Sequence, residues 1–183
     1  MLRSLLLAAI ASTAIAAIPG VVSAAPASPT LIDQRGHAFT LAQLKGTPLV
    51  ITFISTHCTD VCPLIDAQTA DAVQEIRKDH LAVRFLTITL DPEHDTLRDM
   101  QHLAHTFGAD PARWIVAGGS SANVHAVMRA FYVWTDKRAA RAHTTFVYFT
   151  DKNGIVRKTI LAGNNLSGQI VQTLRQSWSV LDQ

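Results

Sequence analysis

Apolar and polar residues fall along this chain in blocks whose period changes from element to element. Residues 49–54 (Leu-Val-Ile-Thr-Phe-Ile) are an almost unbroken apolar, β-branched run, the pattern of a strand covered on both faces. Over residues 63–78 the period becomes helical. Leu64, Ile65, Ala72, Val73 and Ile76 recur behind Pro63, a residue suited to a first helical turn. Residues 83–90 predict a second buried strand, and 96–107 a helix stopped by Gly108. A short strand at 113–117, a helix capped by Ser120 or Ser121 and running to Ala130, and a strong strand at 145–149 follow. The Asp-Lys-Asn-Gly turn at 151–154 sends the chain back as a hairpin over 155–161, and residues 167–181 close it as a helix. Gly36, His37, Ala38 and Phe39 begin a small N-terminal hairpin.

Early strand–helix–strand crossovers imply parallel strands, and the late hairpin adds an antiparallel one. The expected fold is α/β, a mixed central sheet with helices on both faces. The 183 residues carry no repeat and no low-complexity tract, so a single domain over 31–183 is expected, behind a short lead at 25–30. Trp114, Trp134 and Trp178 are expected as core or half-buried anchors.

Residues 1–24 read as an export signal. Arg3 supplies a positive start, residues 5–18 an uncharged and mostly apolar run, and Val22-Ser23-Ala24 a small-residue cleavage pattern before Ala25. An uncleaved anchor is the alternative, but Pro19 interrupts the run before it reaches the ~20 residues of a full span. The expected location is the periplasm or the outer face of the cytoplasmic membrane. The formal net charge of +2, part of it from Arg3, supplies no field for nucleic acid.

Export sharpens the meaning of the two cysteines, Cys58 and Cys62. In an oxidising compartment a neighbouring pair tends to form a disulfide. The loop they enclose is too small for a strong structural staple, which leaves redox or metal chemistry. They sit where a buried strand ends and a helix begins, and a helix N-terminus is expected to depress thiol pKa values. Spaced i and i+4, they share a face if the intervening turn is helical. Two thiolates and one imidazole suit Cu(I) and also hold Cu(II), whereas structural zinc wants a fourth ligand. His143, just before the strand at 145–149, is a distant imidazole of the kind that an α/β sheet can bring toward such a motif.

Other polar residues have plainer readings. His57, beside Cys58, either tunes the thiolates, binds metal loosely or is a solvated loop residue. His94 reads as a capping or salt-bridging side chain, and His102 and His105 as an exposed helical face. Asp91 and Asp95 hold a loop and cap the next helix rather than act in acid–base chemistry.

Taken together, Cys58-Thr59-Asp60-Val61-Cys62-Pro63, Leu90-Asp91-Pro92-Glu93-His94-Asp95-Thr96, Phe107-Gly108-Ala109-Asp110 and His143-Thr144-Thr145 make the chain resemble the SCO (SenC) family of thioredoxin-like copper chaperones. The resemblance runs from about residue 31 to 181. It implies a thioredoxin-like fold and a copper site made by Cys58, Cys62 and His143. It also implies delivery of copper to the binuclear copper site of cytochrome c oxidase, with subunit II of that enzyme or another periplasmic copper acceptor as partner. Some family members act as thiol-disulfide reductants, which adds a thioredoxin-like reductant as a partner. The chain departs from the family at Thr59, where Pro is common, and at Ala142, where Asp is common before the metal histidine. The segment between Phe131 and His143 is short and made basic by Lys137, Arg138 and Arg141.

Three functions compete on this sequence: a copper metallochaperone, a thiol-disulfide oxidoreductase working on a partner's cysteines through Cys58 and Cys62, and a peroxidase. Ordinary thioredoxins carry C-x-x-C and a proline before the neighbouring strand, and residues 142–146 contain none. Ser55 and Thr56 lie upstream of Cys58 as a peroxidase would require, but Cys62 and His143 would then lack a purpose.

Overall fold

A computed structural model describes residues 28–58, 62–134 and 146–183. Residues 1–24, expected to be an export signal, the first half of the lead (25–27), and Thr59, Ala142, His143 and Thr145 lie outside the described residues.

Among the described residues, seven strands form one sheet. They are β1 (Thr30–Asp33), β2 (Ala38–Thr40), β3 (Leu49–Ile54), β4 (Arg84–Thr89), β5 (Trp114–Gly118), β6 (Phe146–Thr150) and β7 (Val156–Leu161), in the spatial order β2-β1-β5-β4-β3-β6-β7. The helices are α1 (Cys62–Lys78), α2 (Leu97–Phe107), α3 (Ser121–Ala130) and α4 (Leu166–Leu181). Strands β3, β4 and β5 run parallel, as the crossovers predicted. Strand β6 is antiparallel to β3 and carries β7 as its hairpin partner at one edge of the sheet. The N-terminal hairpin is real, with Gly36 (φ 85°) in its turn rather than at its start. It also does more than expected, because β1 pairs antiparallel with β5 and extends the sheet.

Alternation along β3 explains why its six residues are all buried. Val50 and Ile54 join a cluster with Ile65, Val73 and Ile76 of α1, Leu103 of α2 and Ile170 and Leu174 of α4. Leu49, Ile51 and Phe53 face the other way, toward Val124, Val127 and Met128 of α3. The two apolar layers are what hold helices on both faces. Thr52 is buried in this run, and its hydroxyl meets that of Thr87 at 2.9 Å, which also accepts the indole N–H of Trp114 at 2.9 Å.

Trp114 is core and Trp178 half-buried, but Trp134 is 75% exposed, against expectation. The apolar anchor after α3 is Phe131 instead. Its ring packs 5.7 Å from Phe53 and 5.2 Å from Tyr148 and fills that part of the core.

Candidate metal centre

The parallel strands bring their carboxyl ends to one edge of the sheet, where ligand sites of α/β folds gather. Residues 55–58 leave β3 there and residues 90–95 leave β4 beside them, joined by Leu90 N–H to the Ile54 carbonyl at 2.7 Å. A tight turn, Cys58 N–H to the Ser55 carbonyl at 3.2 Å, sets the direction in which Cys58 leaves the strand. Cys62 is the first residue of α1, followed by Pro63, whose missing N–H costs nothing in a first turn.

Both cysteines are thiols, and their side chains meet in a hydrogen bond. They are unequal. Cys58 is half-buried, whereas Cys62 is 1% exposed and packs into the apolar cluster under α1. Burial pushes the Cys62 thiol up to about 12, and its hydrogen bond to Cys58 adds to the rise. The sequence had led us to expect a depressed value. Desolvation of the thiolate outweighs the partial positive charge of the helix N-terminus.

A cavity of about 370 Å³ opens beside the pair, with Leu103 and Phe107 among its apolar lining and His57, His102, Asp66 and Asp99 among its polar lining. Asp66 was not anticipated. It stands one helical turn beyond Cys62, is 2% exposed, and its Oδ1 has no hydrogen-bond partner among the described residues. Burial raises its carboxyl to about 7. An acidic residue at i+4 from Cys62, on the stripe that carries Ile65 and Val73, was the signal available in the sequence.

Asp95 organises the approach to Cys58. Its buried carboxylate accepts the Thr56 N–H at 3.1 Å and both hydroxyls of Thr56 and Thr89. His57 Nδ1 lies 2.9 Å from Asp95 Oδ1, and this hydrogen bond raises the His57 pKa. The loop-holding role expected of Asp95 is therefore real, but it does not cap α2. Thr96 is the N-cap, and Asp99 completes a capping box with it. Asp91 pairs with His94 Nδ1 at 2.7 Å, the salt-bridging role expected of that histidine. His102 and His105 are exposed on α2 as expected, with His102 also lining the cavity.

Cys58 and Cys62 are thus brought together, whereas His143 falls outside the described residues. Among the described residues no group of three or more His, Cys, Asp or Glu side chains converges to hold a metal ion, and none of the helices is long and apolar enough to cross a membrane.

Known proteins give this geometry a context. A family model described as SCO1/SenC matches residues 25–179. The SCO2-like protein of Rickettsia typhi is 26% identical over 132 residues, which are 68% of this chain and 64% of that protein. The chain spans less than two thirds of the length of the first such relatives it matches. ScoI of Bradyrhizobium japonicum, solved with copper bound, is 27% identical and covers 80% of this chain and 95% of its own, with a TM-score of 0.64. A SCO1/SenC family lipoprotein from Bacillus anthracis is 25% identical over 80% of this chain and 90% of its own, with a TM-score of 0.70. The seven-stranded mixed sheet is thioredoxin-like, and this chain belongs to the SCO1/SenC family.

Proposed function

We propose that this chain is an exported metallochaperone. It carries copper on the thiolates of Cys58 and Cys62 and the imidazole of His143, and delivers it to the binuclear copper site of cytochrome c oxidase. The observation that carries this reading is the touching pair of thiols, one half-buried and one buried, beside a cavity at the carboxyl end of β3. Soft sulfur donors favour copper over harder ions, and membership of a family whose solved relatives hold copper agrees with it.

The topology supports His143 as third donor. Antiparallel pairing sets Val147 opposite Thr52, so β6 begins beside the end of β3 that leads to Cys58. His143 precedes Phe146 by three residues, a reach of at most ~10 Å. The same reading makes residues 1–24 an export signal, 25–30 a lead and 31–183 the copper-binding domain on the periplasmic side. The acceptor is subunit II of cytochrome c oxidase or another periplasmic copper protein.

The test is anaerobic addition of Cu(I) to the reduced protein. One ion per chain, held against a chelator of known affinity, is the expected result. A protein that holds no copper under these conditions sinks the reading.

The unequal burial of the thiols favours a second reading, a thiol-disulfide oxidoreductase that reduces a partner's cysteines. Cys58 as thiolate attacks the partner disulfide and forms a mixed disulfide, releasing one partner thiolate. Cys62 then attacks Cys58 and releases the second, leaving Cys58–Cys62 oxidised and the partner reduced by two electrons. A thioredoxin-like reductant restores the dithiol. Turnover of a peptide disulfide by a copper-free protein would favour this reading.

A further inference from the structure

The segment around Cys58 carries a second set of nitrogen donors that the thiolate site does not use. His57 and His94 face one another with ring centres 6.5 Å apart and planes at 73°. Each ring is tied at Nδ1 to its own carboxylate, His57 to Asp95 at 2.9 Å and His94 to Asp91 at 2.7 Å. The two carboxylates belong to one turn, in which the Asp95 N–H donates to the Asp91 carbonyl at 2.8 Å. Asp95 is itself held by Thr56 and Thr89, so both rings hang from a fixed base.

An imidazole bonded through Nδ1 to a carboxylate has Nε2 left for a metal, in the orientation and tautomer that ligating histidines adopt. The rings are more than half exposed, at 56% and 72% of their side-chain surface, so an ion reaches them without opening the core. Two Nε2 atoms at about 2.0 Å from one ion set ring centres roughly 4.5 to 6.3 Å apart, from a cis to a trans arrangement, and the observed 6.5 Å lies just beyond the upper end.

We propose that His57 and His94 form an open, two-imidazole site for a divalent transition-metal ion, Cu(II) foremost, beside the thiolate pair and separate from it. Nitrogen donors without sulfur select borderline ions such as Cu(II), Ni(II) and Zn(II) over Cu(I). Water completes the coordination. The site does not depend on the thiolates, so it stands or falls apart from the reading above.

The experiment removes the thiolates and keeps the full chain. A Cys58→Ser/Cys62→Ser variant, or the wild-type chain with its disulfide formed, is titrated with Cu(II) at pH 8 by calorimetry and by electron paramagnetic resonance. One ion per chain with two-nitrogen coupling and no sulfur charge-transfer band is expected. Asp91→Asn should weaken it by about tenfold, and His57→Gln or His94→Gln by more. His102→Gln and His143→Gln should leave it within about twofold, since neither is a ligand here. Binding that survives His57→Gln and His94→Gln, or that disappears with His143→Gln, overturns the proposal. Loss of Cu(I) binding in the reduced wild type, with the two-nitrogen Cu(II) signal intact, would remove the thiolate reading alone.

Discussion

His57 Nδ1 rests 2.9 Å from the Oδ1 atom of Asp95, a carboxylate with no exposed surface, and this contact ties the residue before Cys58 to the loop after β4. The two segments are far apart in sequence, and two hydroxyls and a backbone amide converge on the same carboxylate. The path into the thiol site is therefore held by one acidic side chain.

Replacing Asp95 should show this in stability before it shows in chemistry. Asp95→Ala leaves the Thr89 hydroxyl and the Thr56 amide without their partner in a buried setting, at a cost of about 2 kcal/mol. Denaturant unfolding of the reduced protein should show the loss. An unchanged midpoint would mean that the loop is held by other contacts.

The His57 contact also has a pH signature. Its pKa is raised in the fold, so its contribution to stability is fully present below the unfolded value of 6.5 and is lost as pH rises through the folded value. Titration of His57 by NMR should give a midpoint above 6.5 that drops toward it in Asp95→Asn. A midpoint insensitive to that change would refute the pairing.

Asp66 also predicts a loss of stability with rising pH, beginning at lower pH than that of His57. Its folded pKa is about 7 against 3.8 for the free carboxyl, so the fold favours the proton. Between pH 4 and 7 the unfolded chain ionises while the folded one resists, and stability falls by an amount on the order of 4 kcal/mol. Asp66→Asn cannot titrate. Relative to wild type it should be more stable at pH 8 than at pH 4.5, measured by urea unfolding. An equal difference at both values would show that Asp66 ionises freely.

The thiols should differ in reactivity. Cys58 is half-buried and Cys62 is buried with its pKa pushed up to about 12, so iodoacetamide at pH 8 should label Cys58 first. Oxidation should then remove two labelled thiols together and reduction restore them. Mass spectrometry showing Cys62 labelled at the rate of Cys58 would contradict the burial.

For copper, the order of loss is the test of the ligand set. Changing Cys58 or Cys62 to Ser removes half of the soft donors and should weaken Cu(I) most. His143→Ala leaves two thiolates and should make copper weaker and faster to exchange. His57→Ala should matter least, because that ring is tied to Asp95 and its remaining nitrogen is a poorer match for Cu(I). Chelator competition that ranks His57→Ala above His143→Ala would remove His143 from the set.

Much of the framework was legible in sequence because burial on both faces writes itself as an unbroken apolar run. Strand β3 and helix α1 lie within a residue of their expected bounds, and Gly108 ends α2 in the left-handed conformation its position implied. Strand β1 was not read as a strand, since four residues with alternating burial make too short a signal. At the site, the proximity of Cys58 and Cys62 followed from spacing, but their inequality did not. Desolvation depends on what α1 packs against, and the helix N-terminus argument carries no information about that. Likewise Asp95 was recognised as loop-holding, while its partners Thr56 and Thr89 came from two different strand ends that no local pattern connects.

Strand β7 is the last strand at one edge of the sheet among the described residues, and most of its side chains are exposed. Such an edge is a template on which a second chain can add a strand. Here Arg157 and Lys158 stand in the middle of the run, with Arg157 pinned to Asp151 at 2.7 Å. Charge placed on an edge between Val156 and the apolar pair Ile160 and Leu161 is a guard against aggregation. A charged edge of this kind disfavours strand addition at the hairpin, on the side of the sheet where β7 is the outermost strand among the described residues.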